Sequence, residues 1–109
     1  MKPMRVRAGP KETTLVFAIR ERLRVAGWLT EKMHGSAFQS GVPDLFCFHP
    51  GPPERFRWLE VKRERGGRLT KAQRVKFAAW ESVRLGVWVL TSPDDLPLLD
   101  GPANWREWL

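Results

Sequence analysis

Cysteine is almost missing from this sequence: Cys47 is the single thiol in 109 residues. An internal disulfide is excluded, and so is a thiolate zinc cluster, which needs several ligands where only His34 and His49 stand beside the one cysteine. A chain without disulfides fits a reducing compartment, so the cytoplasm is the expected location. Long apolar runs are missing too. No stretch approaches the about 20 residues of a bilayer-crossing helix, and the opening MKPMRVRAGPKE has no apolar segment of signal-peptide type. The length leaves no room for a separate cofactor domain. One domain is expected, with its core over about residues 12–91 and a tail over 92–109.

Acidic residues are the scarcer charge, 12 against 19 Lys and Arg, for a net charge of +7 and a pI near 10.5. The excess is uneven: residues 1–35 carry +5 and 54–84 carry +6, whereas 36–53 carry −1 and 85–109 carry −3. A polyanionic partner bound by the first and third segments follows, nucleic acid ahead of a membrane surface.

Leu15, Val16, Ile19, Leu23 and Ala26 recur at helical spacing and Gly27 supplies a stop, which predicts an amphipathic helix from Glu12. Glu12 lies one turn before Val16 on the inward face, so its carboxylate is expected to point inward. A short segment at 28–33 leads into the loop HGSAFQSGVP, and the apolar run Asp44–His49 reads as a buried strand broken by PGPPE. In the next strand, Arg55–Lys62, alternation places Phe56, Trp58, Glu60 and Lys62 on one face. A hairpin closing around residues 52–53 sets Asp44 opposite about residue 61. Asp44, Glu60 and Lys62 therefore converge. Thr70 to Gln73 has the form of a capping box opening a second helix, with a glycine stop at Gly86. Val87–Thr91 is a last buried strand, Ser92-Pro93-Asp94-Asp95 a helix start, and Ala103–Leu109 a docking tail with Trp105 and Trp108.

Two carboxylates and a lysine at one sheet edge suit a hard divalent cation such as Mg2+ or Mn2+, which takes remaining ligands from water and substrate phosphate. The bland alternatives are a turn aspartate, an exposed charge cluster, and a glutamine that does nothing beyond capping. Phe56 and Trp58 on the same face as Glu60 and Lys62 argue against a fully solvated face. The basic run Arg63, Arg65, Arg68, Lys71 and Arg74 lies beside the proposed site, where phosphate contacts would position DNA without reading its sequence.

Gly41-Val42-Pro43-Asp44-Leu45, Trp58-Leu59-Glu60-Val61-Lys62 and Arg68-Leu69-Thr70-Lys71-Ala72-Gln73 together resemble the motifs of the PD-(D/E)xK nuclease superfamily, and within it the stand-alone VRR-NUC domains of phage and bacterial proteins. The resemblance spans about residues 12–91. It implies an α/β, restriction-endonuclease-like αβββαβ core, a mixed sheet flanked by helices, with a short C-terminal helical tail. It further implies a metal-dependent DNA endonuclease using Mg2+ or Mn2+, with Asp44, Glu60 and the Val61 carbonyl as metal ligands and Lys62 as the catalytic lysine. Glu12 matches the acidic residue of the family's first helix, joining the metal shell directly or through water, and Gln73 matches the glutamine of the catalytic set. The short form is similar to Holliday-junction-cleaving relatives that act as homodimers, which implies branched DNA, a homodimer, and the cytoplasm of a bacterial or phage-infected cell. A flap or duplex nuclease, or a non-catalytic nucleic-acid-binding module, are the alternatives.

Overall fold

The computed structural model describes residues 11–34 and 40–109. The N-terminal segment 1–10, and the part of the expected glycine- and serine-containing loop at 35–39, lie outside the described residues.

Helix α1 (Glu12–Val25) buries Leu15, Val16, Ile19 and Leu23 as its spacing predicts. It ends where expected, with Gly27 at φ 92° and the Gly27 and Trp28 amides donating to the Arg24 and Leu23 carbonyls at 3.1 and 2.9 Å. Strands β1 (Leu29–Lys32), β2 (Leu45–His49) and β3 (Arg55–Val61) follow, then α2 (Lys71–Ser82) and β4 (Val87–Leu90). The sheet order is β1-β2-β3-β4; the first three strands are antiparallel, and β4 runs parallel to β3 after the α2 crossover. This is the αβββαβ mixed sheet that the motifs imply. Among the described residues no helix is long and apolar enough to cross a membrane.

Two local expectations need correction. In the β2–β3 hairpin Leu45 pairs with Leu59 and Phe46 with Trp58, so the turn centres on Pro52 and Asp44 comes level with Glu60, one residue from its expected partner. The second helix is not closed by Gly86. Arg84 takes the left-handed conformation at φ 67°, and the Arg84 and Leu85 amides donate to the Glu81 and Trp80 carbonyls, both at 2.9 Å. Gly86 answers a packing demand instead: a Cβ there would stand 2.8 Å from Ala103 Cβ and 3.1 Å from the Trp88 ring.

The two faces of the sheet are covered unequally. Helix α1 packs its apolar stripe on Leu45, Cys47, Leu59, Val61 and Leu90. Burial pushes the Cys47 thiol up to about 12, which leaves it an inert packing group. On the opposite face, Phe77 of α2 joins Leu69, Val87, Val89 and Trp105. Helix α2 reaches no farther across the sheet than Trp58, which meets Trp80 at 5.0 Å between ring centroids. Beyond it Phe46, Phe48 and Phe56 form a cluster with centroids 4.8–6.1 Å apart, and Phe56 is 58% exposed.

The tail is built into the fold. Ser92 caps a 3-10 helix, Pro93–Asp100, where Pro97 supplies no N–H, and a single 3-10 turn covers Trp105–Trp108. Leu99 and Trp105 complete the two apolar layers. Asn104 closes the free edge of β4: its Oδ1 accepts from the Val89 N–H at 2.6 Å and its Nδ2 donates to the Val89 carbonyl at 3.0 Å. Asp95 accepts from the Thr91 N–H at 2.9 Å. Replacing Asn104 by Ala strands both Val89 groups, so equilibrium urea unfolding of Asn104→Ala should show a loss of about 1–3 kcal/mol at unchanged m-value.

Candidate active site

Asp44 enters β2 directly after Pro43, which is fully buried. Its own carbonyl accepts from the Met33 N–H at 2.8 Å, and its Oδ2 accepts from the Val61 N–H at 2.8 Å. The side chain thus adds one rung to the β2–β3 ladder beyond the last main-chain pair, fixing one carboxylate oxygen and leaving the other for a ligand. Glu60 lies on the same face. Alternation turns Glu60 and Lys62 toward α2, and they are 2% and 6% exposed.

The start of α2 closes over them. Thr70 and Gln73 form the predicted capping box: the Gln73 N–H donates to Thr70 Oγ1 at 3.1 Å, and Gln73 Oε1 accepts from the Thr70 N–H at 2.9 Å. Gln73 Nε2 then donates to Glu60 Oε2 at 2.9 Å, and Lys62 Nζ is 3.2 Å from the same oxygen. The capping and site roles of Gln73 therefore coexist. Because its amide is engaged at both ends, Gln73 acts on the site by holding Glu60. Gly41, at φ 82°, lets the chain pass against α2, since a Cβ there would be 2.7 Å from the Ala72 carbonyl oxygen.

Glu60 Oε1 is buried with no hydrogen-bond partner. Burial, followed by the charge of Asp44, raises the Glu60 carboxyl to about 8 against the pull of Lys62 and Gln73. Asp44 is raised as well, by burial, with the Val61 N–H, Lys62, Glu60 and Lys32 opposing. Lysine alone does not satisfy this pair. An orphaned carboxylate oxygen beside a second carboxylate is a donor set suited to a hard divalent cation. Among the described residues no three His, Cys, Asp or Glu side chains gather into a metal-binding group, so only two protein carboxylates are offered.

Glu12 is not brought to this pair. It is exposed in the first turn of α1, and it lines a separate cleft of about 410 Å3 with Lys11, Arg63, Gly66, Gly67 and Arg68. The expected inward carboxylate is corrected here: Glu12 shares its helical face with buried residues but sits a turn before Leu15, where that burial begins. Of the basic residues, Arg63 is half-buried, and Arg65, Arg68, Lys71 and Arg74 are exposed. Arg63 and Arg68 share the Glu12 cleft, whereas Lys71 borders an apolar one with Val75 and Trp80. His34 is exposed, and His49 stacks edge-on against Trp28 at 5.2 Å. Lys32, missed from the sequence, acts on Asp44 from β1; only the β1–β2 register reveals it.

The raised carboxyl has a consequence for stability. With an ordinary value of 4.5 and a folded value of about 8, the folded protein binds the Glu60 proton more tightly than the unfolded chain. Its contribution is most favourable below pH 4.5 and is lost as pH rises through about 8. Melting temperatures in EDTA should fall across that window for the wild type, and Glu60→Gln should remove most of the slope.

No family model matches the chain, and no curated protein matches it. Among solved structures, one described as "VRR_NUC domain" aligns over 82% of this chain and 94% of its own, with a TM-score of 0.66 and 22% sequence identity. The likeness extends well past the three motifs to nearly the whole of the matched chain, and at that identity it is a likeness of fold. The protein has the fold of a VRR_NUC domain.

Proposed function

We propose that the protein is a nuclease dependent on Mg2+ or Mn2+ that hydrolyses DNA phosphodiesters, with branched DNA such as Holliday junctions as its substrate and a homodimer as its working form. The observation that carries this reading is the unpartnered Glu60 Oε1 beside Asp44 and Lys62, followed in the chain by the exposed basic residues Arg65, Arg68, Lys71 and Arg74. Glu60 Oε1, the Asp44 oxygen not bonded to Val61, and the Val61 carbonyl would hold the cation. Bound there, it would polarise the phosphodiester and lower the pKa of an attacking water. Glu60 would be ionised for this, its proton passing to solvent, and Gln73 and Lys62 would keep its other oxygen in place. Lys62 would orient the water and offset charge developing on the phosphorus oxygens. Arg63, next to Lys62, would bind the phosphate chain together with Arg68, as would the exposed Arg65, Lys71 and Arg74.

The homodimer reading rests on the half of the sheet beyond α2, where Phe56 is exposed and Phe46 and Phe48 are half-buried. Phe46, Phe48 and Phe56 make an aromatic face too apolar for a phosphate backbone, and a second copy would cover it. One chain offers one carboxylate pair, so symmetric cutting of two strands needs two chains about a two-fold axis.

A labelled four-way junction, a flap and a plain duplex, each incubated with Mg2+ or Mn2+, test this directly. The wild type should cut the junction fastest. Asp44→Asn and Lys62→Ala should each lose about 100-fold or more, and Gln73→Ala about 10–100-fold as a group acting through Glu60. Wild-type rates from either of the first two variants overturn the assignment, and salt-sensitive binding without turnover on any substrate makes the protein a binding module. Phe56→Glu should halve the mass seen by light scattering while leaving the far-UV spectrum unchanged.

A further inference from the structure

A second groove begins at the same first turn of α1, away from the carboxylate pair. It has a volume of about 550 Å3 and runs between α1 and β1, lined among others by Thr13, Phe17, Arg20, Arg24, Thr30 and Lys32. Three cations face one acid, Glu21, whose pair with Arg24 at 3.2 Å is solvent-exposed and weak. Arg20 Nε donates to Thr30 Oγ1 at 3.0 Å, which holds that guanidinium against the strand. Arg20 and Arg24 stand one helical turn apart, so their charges form a row along the groove. Phe17 is 69% exposed among them, an apolar ring left in water beside fixed positive charge.

The groove ends on the strand that neighbours Asp44. Lys32 lines it and pairs with Leu45 across the sheet, and the next residue, Met33, donates its N–H to the Asp44 carbonyl at 2.8 Å. The Arg63 and Arg68 cleft is formed by the segment that follows β3 and Lys62. An apolar peptide is a poor occupant, because it would strip water from three cations. A phosphate chain neutralises them, and Phe17 offers a stacking surface to a base or sugar.

We propose that the α1–β1 groove holds the sugar-phosphate backbone of a second DNA segment, the arm of a branched substrate that leaves the carboxylate pair on the β1 side. The proposal rests on DNA being the substrate, and it gives branched DNA a physical basis: there are two separate basic clefts, one between α1 and the β1 strand that neighbours Asp44, the other in the segment after Lys62. Arg63 and Arg68 hold one arm, and Arg20, Arg24 and Lys32 hold the next.

Fluorescence anisotropy of a labelled four-way junction in EDTA, across a KCl series, tests it with the double variant Arg20→Gln/Arg24→Gln. Arg22→Gln is the control, since Arg22 faces Asp94 of the tail at 3.4 Å instead of the groove. The double variant should bind about 5–20-fold more weakly at low salt, with a log–log salt slope shallower by about 2, while Arg22→Gln matches the wild type. Circular dichroism should show both variants folded, as Arg24 and Arg22 are exposed and Arg20 loses one hydrogen bond. An unchanged slope in the double variant overturns the proposal; metal-dependent cleavage by the wild type would then leave the nuclease reading intact. A lost slope in a protein that cuts no DNA upholds the groove and removes the nuclease. A wild type that binds no DNA removes both.

Discussion

The burial of Glu60 beneath the first turn of α2 is the constraint from which the rest of the carboxylate site follows. A carboxylate 2% exposed has lost its water, and its two oxygens are treated differently. Oε2 receives Gln73 and Lys62; Oε1 receives nothing. Asp44 across the hairpin worsens the charge instead of relieving it, so the proton is held up to about pH 8. A fold selected for stability alone would gain by replacing Glu60 with an apolar residue of similar volume. Under the proposed reading, keeping it makes sense because a cation would take the place of the proton. The capping box extends this logic: Thr70 fixes Gln73, Gln73 fixes Glu60, and the helix start becomes part of the carboxylate's support.

The sheet explains where the chain can afford polar surface. Helix α1 covers one face with a continuous apolar stripe, whereas α2 covers only the β3–β4 half of the other. The carboxylates sit at the boundary, under the edge of α2, with open aromatic sheet beside them. On the far side the tail does what a further strand would otherwise do. Asn104 offers β4 one acceptor and one donor in the geometry of a neighbouring backbone, without inviting another chain to pair.

Much of the site was legible because it depends on short-range periodicity. A two-residue strand period and a turn near residue 52 are enough to bring Asp44, Glu60 and Lys62 together, and the small error in register came from the turn centring on Pro52. Thr70 and Gln73 were legible because capping is local chemistry. Glu12 was misplaced because a helical wheel gives direction without depth: its face is right, and the sheet simply does not extend far enough to bury it. Arg84 was invisible because nothing in an arginine announces a positive φ. Lys32 and Asn104 were out of reach for a different reason. Each acts on a residue outside its own segment, so its role exists only once β1 has paired with β2 and the tail has folded back on β4.

The distribution of charge follows the same division. Two of the tail's acids face distant arginines: Asp94 faces Arg22, and Asp100 faces Arg55. Arg106 in turn is held by Glu81 at 2.9 Å. Apart from the half-buried Arg55, the partners are exposed, and such pairs add little stability. Their effect is local, offsetting Arg22 on α1, Arg55 at the start of β3 and Arg106 in the tail. Among the described residues, Arg63 and Arg68 line one cleft, and Arg20 and Lys32 line the other. A net charge of +7 spread evenly would attract DNA in any orientation. Gathered in two clefts, part of that charge would give the proposed DNA partner a preferred orientation.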